Sequence, residues 1–114
     1  SGILLNYYLV YFYVIIYNDG KSIHLYFNGL VGLYVSYGIS AFLLSKQTEV
    51  SPSYSQEMQM PVAVINVGHF NLLKQQLEVS KVVNNYCCLQ PTVEYDENEY
   101  ADWVGRIRKE KGID

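Results

Sequence analysis

The feature that most constrains this chain is the near absence of charge from its first 45 residues. Only Asp19 and Lys21 carry charge there, whereas residues 46–114 hold the other 17 charged side chains. Eight of the 12 tyrosines also fall in the first part. Two long uncharged runs, residues 1–18 and 22–45, must therefore be covered by protein or by lipid, and the two possibilities predict different folds.

One interpretation is β-structure. Between residues 10 and 37, aromatic and β-branched residues alternate with a period of two, and Asn18-Asp19-Gly20 and Asn28-Gly29 suit hairpin turns. This alternative is an α+β fold with a three-stranded N-terminal β-meander. Its difficulty is that both faces of the strands would lack charge, although the outer face of an antiparallel sheet is normally polar and exposed edges are guarded by charge.

The favoured interpretation is a mostly α membrane protein with an N-terminal two-helix transmembrane hairpin in residues 1–45. The run 22–45 has 24 residues, enough for a hydrocarbon core that takes about 20. The run 1–18 is short but acceptable with tilt or local thinning. Helices are therefore predicted over residues 3–17 and 23–45, with a tight turn between them.

Small residues support the helical interpretation. If residues 23–45 are helical, one narrow stripe contains Gly29, Gly32, Ser36 and Ser40. Small residues at such spacing let membrane helices approach closely, so these four are predicted to line a helix–helix contact. Tyrosine hydroxyls deep in the span need hydrogen-bond partners. The hairpin is therefore expected to pack against other protein subunits as well as the lipid bilayer.

The rest of the chain is predicted to be a linker, residues 46–61, and a small C-terminal extramembrane docking region, residues 62–114. Within it the pattern predicts a strand at 62–67, a helix at 71–83, an extended segment at 86–95 and a helix at 97–111. The last helix is the clearest, because acidic residues open it and basic residues close it, which matches the helix dipole. Its apolar stripe, predicted to dock on a partner, comprises Tyr100, Trp103, Val104 and Ile107.

No catalytic, cofactor-binding or metal-binding constellation emerges. His24 and His69 each stand without a recognisable partner motif, and Cys87-Cys88 lacks the usual zinc spacing. The glycines do not form a phosphate-binding loop. The chain is therefore not expected to be an enzyme or to hold a cofactor.

These observations predict a non-catalytic accessory subunit of a multi-subunit membrane complex. An integral location in an energy-transducing organelle membrane would suit it, such as the mitochondrial inner membrane with its respiratory chain. The expected partners are other subunits and the bilayer; the net charge of −3 argues against nucleic acid. The alternative function is a soluble β-rich binding module of viral or secreted type.

Overall fold

The computed structural model describes residues 18–113. The predicted helix at residues 3–17 lies outside them. The described residues form six strands and three helices. The strands are β1 (Ile23–Asn28), β2 (Leu33–Tyr37), β3 (Ser53–Ser55), β4 (Met60–Asn66), β5 (Glu78–Val83) and β6 (Tyr86–Gln90). The helices are α1 (Gly38–Gln47), α2 (Val67–Gln76) and α3 (Glu97–Glu110).

The six strands form one antiparallel sheet in the order β3-β4-β2-β1-β6-β5. Strands β1 and β2 pair as a hairpin, with Phe27 opposite Tyr34. On either side, β2 pairs with β4 and β1 pairs with β6. The predicted linker, residues 46–61, contains β3, and the strands before and after it belong to the same sheet.

The prediction of a helix over residues 23–45 is wrong, and with it the mostly α, transmembrane fold. Residues 23–28 and 33–37 are strands, and only 38–47 is helical. The fold is α+β, as the alternative interpretation had it. The lack of charge in residues 22–45 did not exclude strands, because β1 and β2 are central strands with hydrogen-bonded neighbours on both sides. A central strand has no exposed edge that charge would have to guard.

The membrane assignment fails for a second, separate reason. Within residues 18–113, none of the helices combines the length and the apolar character that a bilayer crossing requires. The longest, α3, has 14 residues and is densely charged. The predicted integral membrane location, including the mitochondrial inner membrane, is therefore overturned for this part of the chain.

The hydrophobic core lies between the sheet and the helices. Residues that alternate along the strands point to the helical face of the sheet, where α1 and α2 cover them. Ile23, Leu25, Ala63, Ile65, Cys87 and Leu89 come from the sheet; Ala41, Leu43, Leu44, Phe70 and Leu73 come from α1 and α2. The uncharged run 22–45 is thus covered largely by the protein itself.

The junction between β2 and α1 depends on Gly38. Its φ is +57°, a left-handed conformation that favours glycine. A Cβ atom at this position would lie 2.9 Å from the Asn18 Nδ2 atom. The chain can therefore turn directly from a central strand into the helix that covers it, with no intervening loop.

The C-terminal part agrees with the sequence in one helix and differs in another. Helix α3 spans 97–110, close to the predicted 97–111, and the Asp96 carboxylate accepts a hydrogen bond from the Glu99 N–H at 2.8 Å. The predicted helix at 71–83 is wrong in extent. Helix α2 ends at Gln76, and the valine-rich segment that follows is strand β5, which pairs with β6.

Candidate binding surface

Exposed aliphatic side chains gather at one end of the sheet. Leu30 is 90% exposed and Val31 is 62% exposed, both in the loop that joins β1 to β2. The other exposed members of this group are Val64, Val67, Leu72, Val82 and Val83. We call this region the charge-poor end and define it as residues 27–34, 64–74 and 82–87. An exposed apolar cluster of this kind is typical of an interaction site.

Strand register explains why these three segments meet. Leu33 is opposite Asn28 on one side and Asn66 on the other, so β4 ends beside the β1–β2 loop. The β5–β6 turn reaches the same end, because the Phe27 N–H donates to the Asn85 carbonyl at 2.7 Å. The surface is therefore assembled from two hairpin turns and the start of α2.

The charge-poor end contains a single charged side chain. Among the Lys, Arg, Asp and Glu residues of the whole chain, only Lys74 falls within 27–34, 64–74 or 82–87. By contrast, residues 94–111 contain ten of the 19. The buried centres of protein interfaces are likewise depleted in charge and rich in apolar and aromatic side chains.

An aromatic ladder runs through this end on the helical face of the sheet. The Tyr34 and Phe70 rings are stacked, with centroids 3.8 Å apart, and the Phe27 ring follows at 4.9 Å from Tyr34. The Lys74 ammonium lies 4.8 Å from the Phe70 ring centroid, a cation–π distance. The rings of Phe27, Tyr34 and Phe70 therefore form one continuous set of contacts at this end of the sheet.

A small cavity opens beside the ladder, between α2 and the β5–β6 hairpin. Its volume is about 120 Å³. The lining residues are Phe27, Tyr34, Phe70, Lys74, Val82, Asn84, Asn85, Tyr86 and Cys87. Its walls are mostly apolar and aromatic, with asparagines at the turn and Lys74 as the one charged group. The cavity is large enough for one branched aliphatic side chain.

The two cysteines of the chain are buried thiols close to this cavity. Cys87 and Cys88 are free and are 3% and 6% exposed. Burial raises the pKa of the Cys87 thiol, Cys88 raises it further, and nearby Lys74 acts in the opposite direction. A buried thiol with a raised pKa is a poor nucleophile, so the arrangement does not favour catalysis by Cys87.

The four residues predicted to line a helix–helix contact occupy three different elements. Gly29 and Gly32 lie in the β1–β2 loop, Ser36 is in β2 and Ser40 is in α1. The common helical stripe on which that prediction depended is therefore absent. Both serines are buried and hydrogen-bonded: Ser36 donates to the Ala63 carbonyl at 3.0 Å, and the Ser40 hydroxyl accepts from the His24 N–H at 3.0 Å.

The predicted docking stripe of α3 is largely turned inward. Ile107 is 3% exposed, and Tyr100 and Trp103 pack against the Phe42 ring of α1, at centroid distances of 5.5 and 5.3 Å. Val104 is half-buried. This stripe contributes to the fold itself, and its role in docking a partner stays a prediction.

Each histidine lies within hydrogen-bond distance of a hydroxyl group from a distant part of the chain. His24 Nδ1 lies 2.6 Å from the Tyr86 hydroxyl, and its Nε2 is 4.0 Å from an Asp19 carboxylate oxygen. His69 Nε2 lies 2.7 Å from the Thr48 hydroxyl. Within the described ranges, no three His, Cys, Asp or Glu side chains are grouped closely enough to hold a metal ion.

Sequence reasoning missed the residues that define this surface, namely Leu30, Val31, Phe27, Tyr34 and Lys74. One signal was present. Leu30 and Val31 stand between two glycines where the β interpretation places a hairpin turn, although polar residues normally occupy such turns. An apolar pair at the tip of a hairpin is a reason to suspect a contact surface.

In residues 18–113, the fold and this surface together define an α+β arrangement with one antiparallel sheet, helices on one face and an apolar, charge-poor end. Comparison with protein-family models, with curated proteins and with solved structures found no match. The proposal that follows therefore rests on the geometry of this chain.

Proposed function

We propose that this protein is a non-enzymatic protein-binding module whose charge-poor end contacts a partner protein. One observation carries the proposal: seven exposed aliphatic side chains share an end of the sheet with a single charged residue, Lys74. Keeping such side chains in water is unfavourable by roughly 25 cal/mol per Å² of apolar surface. Contact with an apolar surface of another protein removes that penalty.

The geometry supports a partner other than a second copy of this chain. A symmetric dimer would place the same patch on both sides of the interface. The charge-poor end offers Lys74 but no carboxylate, so two copies would bring two cations together without an acidic group to pair with either. A different protein, apolar with an acidic group near its contact surface, is the better complement.

The absence of a catalytic group at this end supports a binding role over chemistry. Cys87 is buried with a raised pKa, and His69 is engaged with Thr48. Like the function predicted from the sequence, the proposed function is non-catalytic and involves protein partners. Unlike that prediction, it involves no membrane complex. Because apolar contact dominates and Lys74 supplies the one ion pair, affinity is expected to fall by less than about tenfold between about 0.05 and about 0.5 M salt.

Site-specific photo-crosslinking in cells of the source organism tests the proposal. A photoreactive amino acid at Val31 is compared with one at Ala101, an exposed position on α3. We expect a discrete crosslinked partner from position 31 and none from position 101. The partner is then identified, purified and titrated against the intact chain.

The titration uses two matched variants. Leu30→Glu and Ala101→Glu each place a glutamate at an exposed position, only the first of which lies in the charge-poor end. We expect Leu30→Glu to weaken binding roughly tenfold or more and Ala101→Glu to leave it nearly unchanged. Equal crosslinking from both positions, equal effects of both variants, or crosslinks that join only two copies of this chain would contradict the proposal.

A further inference from the structure

Strand β5 is the last strand at one side of the described sheet and lies next to the cavity. Within the described part of the chain, β5 pairs with β6 alone, and all six of its residues are exposed. An edge strand carries backbone N–H and C=O groups that face away from its neighbour and can pair with another chain. The opposite edge is different, because β3 has only three residues and the Arg108 guanidinium donates to the Tyr54 hydroxyl across it.

Only the first half of β5 is protected against pairing. The register shifts at Ser80, between Val79 and Lys81, which marks a β-bulge. The Ser80 hydroxyl donates to the Cys88 carbonyl at 3.2 Å, and this bond holds the bulge against β6. Bulges and charged residues commonly block edge pairing. Beyond Lys81, however, Val82 and Val83 continue without bulge or charge to the turn.

The cavity lies beside this unprotected half. Val82 is opposite Cys87 in the register, so both side chains lie on the helical face of the sheet, and both line the cavity. Phe70 of α2 forms part of the facing wall. A strand added along β5 would place alternate side chains on this face. One of them would enter the cavity, whose volume of about 120 Å³ accommodates a single branched aliphatic group.

Lys74 provides a positive charge at the cavity that a negatively charged group of a ligand can neutralise. It is exposed in the last turn of α2, and its ammonium is held 4.8 Å from the Phe70 ring centroid at the cavity rim. Within residues 18–113 it makes no salt bridge, in contrast to Lys46, which pairs with Glu99 at 3.2 Å. The one cation lining an apolar cavity is therefore available to a carboxylate.

From these observations we infer that the β5 edge and the cavity together bind an extended peptide segment of the partner. The segment adds as a strand along Val82 and Val83, one aliphatic side chain fills the cavity, and a carboxylate pairs with Lys74. The carboxylate is either an acidic side chain or the C-terminus of the peptide, since both offer the same chemistry. The inference rests on the proposed function and specifies the partner at that surface. Strand addition with a side-chain pocket is an established mode of peptide recognition.

The first experiment selects peptides for the intact protein from two random seven-residue libraries, one displayed with a free C-terminal carboxylate and one with both ends embedded. We expect binders with an aliphatic residue near a carboxylate. Enrichment from the first library alone identifies the terminal carboxylate, and enrichment from both identifies an acidic side chain. No enrichment from either library overturns the inference.

The second experiment measures the affinity of a selected peptide by fluorescence anisotropy. Lys74→Gln is expected to weaken binding roughly fivefold or more, since a charge-assisted hydrogen bond is lost. Lys81→Gln is the matched control, because Lys81 is an exposed lysine on β5 opposite Cys88, on the other face of the sheet. Val82→Glu, which places a carboxylate at the cavity wall, should weaken binding further. Equal losses for Lys74→Gln and Lys81→Gln would overturn the inference.

Backbone pairing is tested on the peptide itself. N-methylation of successive peptide amides should weaken binding at alternate positions only, because a strand turns every second N–H toward its neighbour. Loss at every position, or at none, counts against strand addition.

Binding of the crosslinked partner distinguishes the peptide site from the proposed function. If Leu30→Glu weakens that binding and Lys74→Gln does not, the binding surface stands and only the peptide site is overturned.

Discussion

The charge-poor end exposes its apolar side chains, whereas the charged helix region, residues 94–111, largely buries them. The charged helix region has a regular apolar stripe, but Ile107 is buried and Trp103 packs on Phe42, so the stripe is largely satisfied within the fold. The charge-poor end combines two hairpin turns with the start of α2, and it leaves Leu30 and Val31 in solvent. In this chain the amphipathic pattern of α3 therefore marks a contact with the chain's own core, whereas the surface open to a partner is assembled from three separate segments.

The largest expected effect is the loss of unfolding free energy when a ring that packs against the charged helix region is removed, compared with a truncation at the charge-poor end. Phe42 is 4% exposed and contacts the rings of Tyr95, Tyr100 and Trp103. Phe42→Ala should therefore lower the free energy of unfolding by about 3–5 kcal/mol, as for other buried aromatic truncations. Leu30→Ala, at the charge-poor end, should change it by less than about 0.5 kcal/mol. Urea denaturation followed by circular dichroism provides both values, and similar losses would remove the distinction.

A second prediction concerns alkaline pH at the charged helix region. Burial raises the pKa of Tyr100 from its usual 10.0 to about 12, with smaller contributions from Tyr95 and Tyr54. Between these two pH values the unfolded chain loses the Tyr100 proton first, so it binds fewer protons than the folded chain and stability falls as pH rises. Because Tyr100 is only partly buried, we expect a loss of no more than about 2 kcal/mol.

Tyr100→Phe is the control for this alkaline loss, because it keeps the ring and removes the titrating hydroxyl. Urea midpoints at pH 8 and along a series up to pH 12 should show a shallower decline for the variant than for the parent chain. An identical decline would mean that the Tyr100 hydroxyl has the same pKa in the folded and unfolded states, which would contradict the burial argument.

The smallest expected effect compares one helix cap from each region. Asp96 caps α3 and Asn66 caps α2, each accepting a backbone N–H at 2.8 Å, from Glu99 and His69 respectively. Replacement of either cap by alanine should cost about 1 kcal/mol. Only Asp96 adds a negative charge to the helix dipole, so the effect of Asp96→Ala should shrink at high salt while that of Asn66→Ala stays constant. Parallel salt dependences would show that charge does not distinguish the two caps.

The errors in the sequence-based interpretation have identifiable physical causes. For residues 23–37, the period-two alternation correctly indicated strands, but the missing charge was attributed to lipid. In residues 71–83, lysines and valines at helical spacing suggested one helix, whereas Asn66 begins α2 earlier and pairing with β6 draws Glu78–Val83 into the sheet. Both errors concern segments whose state depends on distant strands.

The candidate site was less accessible to sequence reasoning than the fold. Phe27, Tyr34 and Phe70 are separated along the chain, and only the sheet register and the position of α2 stack their rings. In the sequence, Lys74 is one residue of the predicted helix at 71–83, and its importance comes from being the one charge beside the cavity. Such a surface has no linear motif, because three separate segments contribute to it.

The sequence by itself determined the features that depend on local interactions. Helix α3 is specified by its Asp96 cap, its acidic start, its basic end and its apolar spacing, and all of these act within a few residues. The tertiary structure alone decided how the uncharged run 22–45 is covered, because burial in lipid and burial at the centre of a sheet satisfy the same lack of charge. Pairing of β1 and β2 with β6 and β4, which are distant in sequence, resolved that choice and brought the three segments of the charge-poor end together.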